Sequence, residues 1–296
     1  MKVVHFIINP IAGKGQIPKE LENVANYFPK NKYQVDVKIS RYPGHAILLT
    51  KQSEKDGADI IVACGGDGTI NEVASCLVNK EIALAIVPIG SGNGLAASLK
   101  IPRNVHKAIS IIKNQPIQTI DVATVNGKPF LSNMGIGFDA MVISNFNKSK
   151  KRKFMAYFKA VLKALKHHRN TEPLKVEMNG VIMKTSPFMF FVSNSQVMGY
   201  DLSLTRMASM KDGLLDVVVI DAITKGEMLF LGILLVLRAT TFFKKIKYFK
   251  VRELKIEFEA HKNKYFMQAD GELQTVENGQ LEVSLQANGL KVVAPY

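Results

Sequence analysis

Cysteine is nearly absent from this chain. Its 296 residues hold two, Cys64 and Cys76, both inside apolar segments. That excludes a disulfide framework, offers no zinc-ligand spacing, and fits a reducing cytoplasm. Long apolar runs are missing too. The longest, MLFLGILLVL from Met228 to Leu237, has ten residues, against the roughly 20 that a membrane-spanning helix needs. It reads as a core or interfacial helix of a soluble or peripheral protein. The N-terminal MKVVHFIINPIAGKGQ is broken by Pro10 and by glycines and has no signal-peptide cleavage region, so it reads as a first strand. There is no internal repeat and no low-complexity linker. Acidic side chains are in deficit, 25 Asp and Glu against 39 Lys and Arg, for a net charge of +14. Such a balance favours anionic partners, namely nucleic acid, a phosphorylated small molecule or an anionic membrane, although part of it is solvated surface lysine. A hydrophobic content of 47% excludes disorder.

What is present is an alternation of strands and helices. KVVHFIIN, QVDVKIS, DIIVACG and LAIVPIG read as short strands rich in Ile and Val. Between them lie helical segments, including IPKELENVANYF, with Ile17, Leu21, Val24, Ala25 and Phe28 on one face, and GHAILLTKQSEKDG, ending near Gly57. This pattern predicts a parallel sheet covered on both faces, with ligands beyond the carboxyl ends of the strands. Beyond about residue 125 short strands joined by Asn-Gly and similar turns predict a mainly antiparallel second domain, interrupted by helices around 150–168 and 225–247. The domain reading is 1–125 for an α/β nucleotide-binding domain and 126–284 for a second domain, with a tail of about 285–296.

Three glycine-rich loops fall at one edge of the first sheet: NPIAGKG, GGDGT and PIGSGNG. Glycines let backbone N–H groups approach a phosphate closely, and a carboxylate among them can hold Mg2+ or its waters. Asp67 is that carboxylate, ahead of a helix expected from about Asn71; the plain alternative is an N-cap in a tight turn. NPIAGKG lacks the spacing of a Walker A loop, yet Lys14 can point at a phosphate or simply at solvent. Ser91 and Asn93 add hydrogen-bonding side chains at the same edge.

Taken together, GGDGTINE at 65–72, NPIAG at 9–13, RYPGHA at 41–46, PIGSGNGLA at 88–96 and DGE at 270–272 resemble the diacylglycerol kinase catalytic-domain family. That family includes bacterial diacylglycerol kinases, YegS-type lipid kinases and sphingosine kinases. GGDGT alone is shared with NAD kinases; the PGHA, GSGN, DGLLD and DGE elements narrow the likeness to the lipid-kinase branch. The resemblance covers essentially the whole chain, in order. It implies an α/β domain of the NAD kinase/diacylglycerol kinase type followed by a β-sandwich, an active site in the cleft between them, and a last strand that returns to the first domain.

It also implies site residues. Asn9, Pro10, Ile11, Ala12, Gly13, Ser40, Gly65, Gly66, Asp67, Gly68, Thr69, Ile70, Asn71 and Ser91 would line an ATP site, with Lys14 beside them. Ser40 and Ser91 stand where the family often has threonine. Glu272 takes the place of the base that accepts the hydroxyl proton in phosphoryl transfer, with Asp270 next to it; without the resemblance, DGE is an ordinary hairpin turn. SMKDGLLD at 209–216 looks like the family's Mg2+ loop, with the Asp212 carboxylate and the carbonyls of Ser209 and Leu214 as ligands, or else an ordinary Asp-Gly turn. One departure stands out. Many bacterial members carry an aspartate where this chain has Gly94, which leaves the acceptor lipid open.

The stretch from Lys148 to Asn170 spaces Phe154, Tyr157, Phe158, Val161, Leu162 and Leu165 as one helical face, with Lys150, Lys151, Lys153, Lys159, Lys163 and Lys166 mostly elsewhere. It is read as a basic amphipathic helix on an anionic membrane, or as a core helix with a lysine face. RATTFFKKIKYFK at 238–250 is a second basic-aromatic cluster. The combined expectation is an ATP- and Mg2+-dependent lipid kinase, cytoplasmic and on the inner face of the membrane. Its acceptor is diacylglycerol or a sphingoid-type lipid. No nucleic-acid partner is expected, and a homodimer is left open. The alternatives are a soluble-metabolite kinase of the NAD kinase type and a nucleotide-gated membrane-binding protein without transfer activity.

Overall fold

The computed structural model describes residues 1–148, 154–167, 171–198, 203–237, 239–260 and 264–295. They form two compact units: Met1–Val122 with the residues from Ala287 onward, and Ala123–Gln286.

The first unit is built on β1 (Lys2–Ile8), β2 (Tyr33–Ile39), β3 (Ile60–Gly65) and β4 (Ala83–Pro88), all parallel, in the order β2-β1-β3-β4. Both β3 and β4 are buried along their whole length, as central parallel strands must be when helices cover both faces. Chain order reverses between β1 and β3, so the loops that leave these two strands open onto a switch point of the sheet. The helices are α1 (Lys19–Glu22), α2 (His45–Lys55), α3 (Asp67–Leu77), α4 (Gly94–Ser98) and α5 (Val105–Asn114), followed by β5 (Ile117–Val125).

Two helix boundaries differ from expectation. The 17–28 helix is broken: Asn23 leaves the helical region (φ −118°, ψ 30°), and only α1 and a 3-10 turn at Val24–Tyr27 remain. Leu21, Val24 and Phe28 still reach the core, because burial asks for a face and not for an unbroken helix. And α3 begins four residues earlier than expected, at Asp67 itself, with Gly66 as its N-cap.

The second unit stacks two sheets. One is fully antiparallel: β7 (Asn133–Gly137), β10 (Met189–Ser193), β11 (Leu215–Ile220), β12 (Ile246–Val251), β14 (Tyr265–Ala269) and β15 (Glu272–Val276), ordered β12-β11-β10-β7-β14-β15. Facing it are β8 (Leu174–Met178), β9 (Val181–Thr185), β13 (Glu253–Phe258) and the first half of β16 (Gln280–Val293), with the hairpin of β5 and β6 (Lys128–Phe130). Beyond Ala287, β16 belongs to the first unit, where Val292 pairs in parallel with Leu84. The sandwich core lies between the sheets. Phe190, Val192, Leu215, Val217 and Val219 enter it from β10 and β11.

Along those same strands the alternate residues Phe191, Val218 and Ile220 point the other way, into a second cluster closed by helices. This explains why FMFFVSNS and LLDVVVIDA read as unbroken apolar runs: both faces are buried. The helices are α6 (Phe138–Asn147), α7 (Phe154–His167) and α8 (Lys225–Val236). No helix among the described residues is long and apolar enough to cross a membrane. Nothing in the local pattern announced α6. Gly137 turns the chain at φ 87°, and Ala140, Val142 and Ile143 are then buried. The expected 225–247 helix ends early, because the segment from Ile246 is recruited as β12 onto the edge of β11. Of the Lys148–Asn170 stretch, Lys150, Lys151, Lys153 and His168 lie outside the described residues.

Candidate functional site

In the first unit three loops interlock backbone to backbone. Asn9, at the end of β1, donates its N–H to Cys64 O (2.9 Å) and its side-chain amide to Thr69 Oγ1 (2.9 Å), while its own Oδ1 accepts from Ile11 N (3.1 Å). This ties the Pro10–Lys14 loop to the start of α3. A Cβ on Gly13 would collide with the Ile89 carbonyl, one on Gly90 with the Gly66 backbone, and one on Gly92 with the Asp67 carboxylate. These glycines exist to let loops touch. Gly68 is different: a Cβ there would meet nothing within 4 Å, so its own packing gives no reason for glycine inside the first turn of a helix.

Asp67 is the hub. Its two carboxylate oxygens accept the N–H of Asn93 (Oδ2, 2.7 Å) and of Gly94 (Oδ1, 2.7 Å), clamping the loop after β4 to the start of α3. Gly94 is therefore held by its backbone. Asn93 sits in the left-handed region (φ 61°) and donates its side chain to Gly90 O at 2.7 Å. Ser91 is exposed on the same loop, and Ser40 is buried just after β2, its N–H on Ile8 O. Ile70 and Asn71 continue α3, with Ile70 facing the core.

Two residues here were missed from sequence. Glu72 accepts from Gly44 N (2.9 Å) and Ala46 N (3.2 Å), satisfying the start of α2; its place in GGDGTINE was the available signal. Arg103 donates to Gly92 O (3.1 Å), and no local pattern marks it.

In the second unit the DGE segment is a two-residue hairpin between β14 and β15, with Asp270 at φ 48° and Gly271 at φ 81°. Two left-handed residues make it a type I′ turn. Asp270, expected beside the base, has a carboxylate that accepts three backbone N–H groups, from Leu131 (2.7 Å), Ser132 (2.8 Å) and Asn133 (3.2 Å). The turn is fixed from below as well. Gly271 N donates to Gln268 Oε1 (2.9 Å), and Gln268 Nε2 donates to Asn133 Oδ1 (2.9 Å) and Asp139 Oδ2 (2.6 Å). Asn194 donates its side chain to Leu131 O (3.1 Å) and its N–H to Ser132 O (2.9 Å). Glu272 follows this rigid turn, exposed, with no hydrogen bond or ion pair to its carboxylate among the described residues. Asp139, in the first turn of α6, is fully enclosed. Burial pushes its carboxyl up to about 6, against the opposing hydrogen bond from Gln268.

The 209–214 loop carries a counter-charge from within the chain. Asp212 Oδ2 lies 2.6 Å from Lys250 Nζ, and Asp212 Oδ1 accepts from Leu214 N at 3.2 Å. Ser209 Oγ accepts from Lys211 N (3.2 Å). The hydrogen bond to Asp212 raises the Lys250 ammonium above its ordinary range. Asp216, whose Oδ2 is buried and 4.0 Å from Lys250, is pushed up chiefly by desolvation. No group of three or more His, Cys, Asp or Glu side chains gathers for a metal among the described residues. The Asp212 carboxylate would suit a hydrated Mg2+ only where that ion takes the place of the Lys250 ammonium.

Comparison with known proteins identifies the family. The diacylglycerol kinase catalytic domain matches residues 3–125, and the YegS C-terminal NAD kinase beta sandwich-like domain matches residues 132–293. The chain belongs to the diacylglycerol kinase catalytic-domain family, a family of lipid kinases. It is 28% identical over 236 residues to the diacylglycerol kinase of Bacillus subtilis (strain 168), covering 77% of each chain. Against the diacylglycerol kinase of Staphylococcus aureus (strain bovine RF122 / ET3-1) it is 24% identical over 231 residues, covering 77% of this chain and 73% of that one. A solved structure from Bacillus anthracis str. Sterne shares the fold with a TM-score of 0.81 at 23% identity, covering 99% of this chain and 95% of that one. Another from the same organism, described as a diacylglycerol kinase, gives 0.72 at 20% identity, covering 99% and 96%. Membership makes the chain a kinase-type transferase that uses a nucleotide.

Two predictions follow from the second unit. Asp139 holds its proton more tightly folded than unfolded, so its contribution to stability is full below about pH 4 and is lost as pH rises through about 6, on the order of 2–3 kcal/mol. Asp139→Asn is expected to remove that slope. Denaturation midpoints from pH 4 to 7, compared between variant and parent, measure it. Lys250→Met is expected to lower the melting temperature by about 2–4 °C in chelator, with Mg2+ recovering the loss. If added Mg2+ moves neither protein's melting temperature, the loop holds no cation.

Proposed function

We propose that this protein transfers the γ-phosphoryl group of ATP, with Mg2+, to a hydroxyl of diacylglycerol or a related lipid such as a sphingoid base. The carrying observation is the contrast within one turn: Asp270 is committed to three backbone N–H groups, whereas Glu272 is held exposed beside it on a rigid support. A general base needs that combination of a fixed position and an available lone pair. The glycine-built cradle supports the nucleotide half of the reading. The first-turn N–H groups of α3, from Asp67 to Thr69, have no intrahelical acceptors by the geometry of a helix start, and the dipole there favours phosphate. Open space above Gly68 admits the phosphate to that backbone, and Lys14 is exposed on the neighbouring loop.

In the reaction the acceptor hydroxyl gives its proton to the Glu272 carboxylate as its oxygen bonds to the γ-phosphorus. The bond from phosphorus to the β,γ-bridging oxygen breaks, and ADP leaves. Mg2+, when bound, neutralises charge on the phosphates. Asp67 would hold it or its waters, since each carboxylate oxygen that accepts one N–H keeps a second lone pair. The acceptor would be met at an anionic cytoplasmic membrane surface. The outer face of α7, where Lys159, Lys163 and Lys166 are exposed, suits such a surface.

Glu272→Gln is expected to lower phosphate transfer from labelled ATP to mixed-micelle lipids by roughly 10²–10⁴-fold. ATP affinity and melting temperature should stay unchanged. Retained turnover would remove the base assignment. Asp270→Ala should instead destabilise the fold by about 2–4 kcal/mol, having orphaned three N–H groups, as read by denaturant unfolding. For Gly68→Ala the signs separate: unfolding free energy is expected to stay level or rise, by up to about 1 kcal/mol from helix propensity, while nucleotide affinity falls, as measured by calorimetry. An unchanged affinity would take the phosphate away from this helix start.

A further inference from the structure

Helix α8 is apolar on both sides. Its inner face, Met228, Leu231 and Leu234, closes the cluster over β10 and β11. Its outer face is also apolar: Leu229 and Leu237 are 67% exposed, Phe230 50% and Ile233 49%. Phe242, on the 3-10 turn just after it, is 76% exposed. A helix that is hydrophobic all round belongs in a core or against another apolar phase. The chain here has spent only half of it.

The helix is anchored firmly enough to present that face. Thr224 and Glu227 form a capping box, and the Lys245 ammonium holds Glu227 at 2.8 Å, keeping its carboxyl down at about 2. The first turn of the helix is therefore fixed, and the face starts from a capped end.

Charge decides between occupants. The described part of α7, whose Leu165 packs on the same cluster, has no acidic residue. Its outer side interleaves exposed Met155, Phe158 and Leu162 with Lys159, Lys163 and Lys166. The split of this helix also corrects the expected single apolar face: Ala160 and Ala164 are the buried residues, with Tyr157, Val161 and Leu165 partly so. On α8 the one acidic residue, Glu227, is already neutralised, and Lys225 and Lys244 are exposed at the two ends of the α8–3-10 segment. A second copy packed about a two-fold axis would set lysine against lysine. An anionic lipid leaflet would accept both the apolar side chains and the lysine rim.

We propose that the outer face of α8, centred on Phe230 and Ile233, inserts among the acyl chains of an anionic bilayer. The lysines of α7 and of the α8 ends lie at headgroup level. This deepens the lipid-acceptor reading by naming the surface through which the enzyme meets its substrate's phase.

The chain contains no tryptophan, so Phe230→Trp places a single tryptophan, excited selectively at the red edge of the absorption band, as the reporter. With vesicles of three parts phosphatidylcholine to one part phosphatidylglycerol, its emission is expected to shift to the blue and to be quenched by lipids brominated along the acyl chain. Leu229→Ser with Ile233→Ser is expected to reduce co-flotation with the same vesicles at least tenfold. Emission that stays water-like in a protein that floats would overturn the proposal, as would undiminished flotation of the double variant. Reporter emission already blue without lipid, together with a dimer in sedimentation that the double variant splits, would assign the face to a second copy instead. None of these readouts involves phosphate transfer. A failed kinase assay and a failed insertion are thus told apart.

Discussion

Much of the first unit depends on one carboxylate receiving two backbone hydrogen bonds. Asp67 stands at the first position of α3, where the helix dipole favours a negative charge, and from there it accepts the N–H groups of Asn93 and Gly94. The loop after β4 is thereby bound to the loop after β3, and Asn9 binds the loop after β1 to the same helix start through Thr69. Three segments that would each be free to move are made into one surface. The glycines at 13, 90 and 92 follow from that constraint, because a Cβ there would meet the Ile89 carbonyl, the Gly66 backbone and the Asp67 carboxylate respectively. Gly68 does not follow from it. It is the residue whose smallness looks outward, which separates a packing glycine from a candidate ligand-facing one.

The second unit repeats the device with a different carboxylate. Asp270 gathers the N–H groups of Leu131, Ser132 and Asn133, and the Gln268 amide, buried between Asn133, Asp139 and Gly271, supports the turn from inside. Every polar atom of that amide has a partner, the condition under which a buried polar network rigidifies rather than weakens a fold. The one strained member is Asp139, whose carboxyl is kept from ionising readily by its enclosure. Glu272 is left out of the network. The two carboxylates of DGE thus differ in setting: that of Asp270 accepts three backbone N–H groups, and that of Glu272 is exposed.

Several features were legible in the sequence because they are local. Asn126–Gly127, Asn179–Gly180 and Asp270–Gly271 all adopt the paired left-handed conformation of a type I′ turn, which such dipeptides favour with no help from the rest of the chain. The alternation of Ile- and Val-rich strands with helices announced the parallel sheet, and the order of motifs announced the family. Residue texture was less informative where one local pattern suits two structures. KKIKYFK looked like the end of a helix and is an edge strand, since the hydrogen bonds that decide it come from β11, about 30 residues earlier in the chain.

Motif spacing, turn chemistry and strand periodicity were determined by the sequence alone, because each is a property of neighbouring φ/ψ angles and side-chain alternation. Tertiary structure decided what each polar group does and which side of each helix is covered. That Asp270 is a clamp and Glu272 is not depends on the 131–133 segment arriving beneath the turn. That α8 shows half its leucine-rich surface to solvent depends on β10 and β11 covering the other half. Both are outcomes of contacts between residues far apart in the chain, and no window of neighbouring residues contains them.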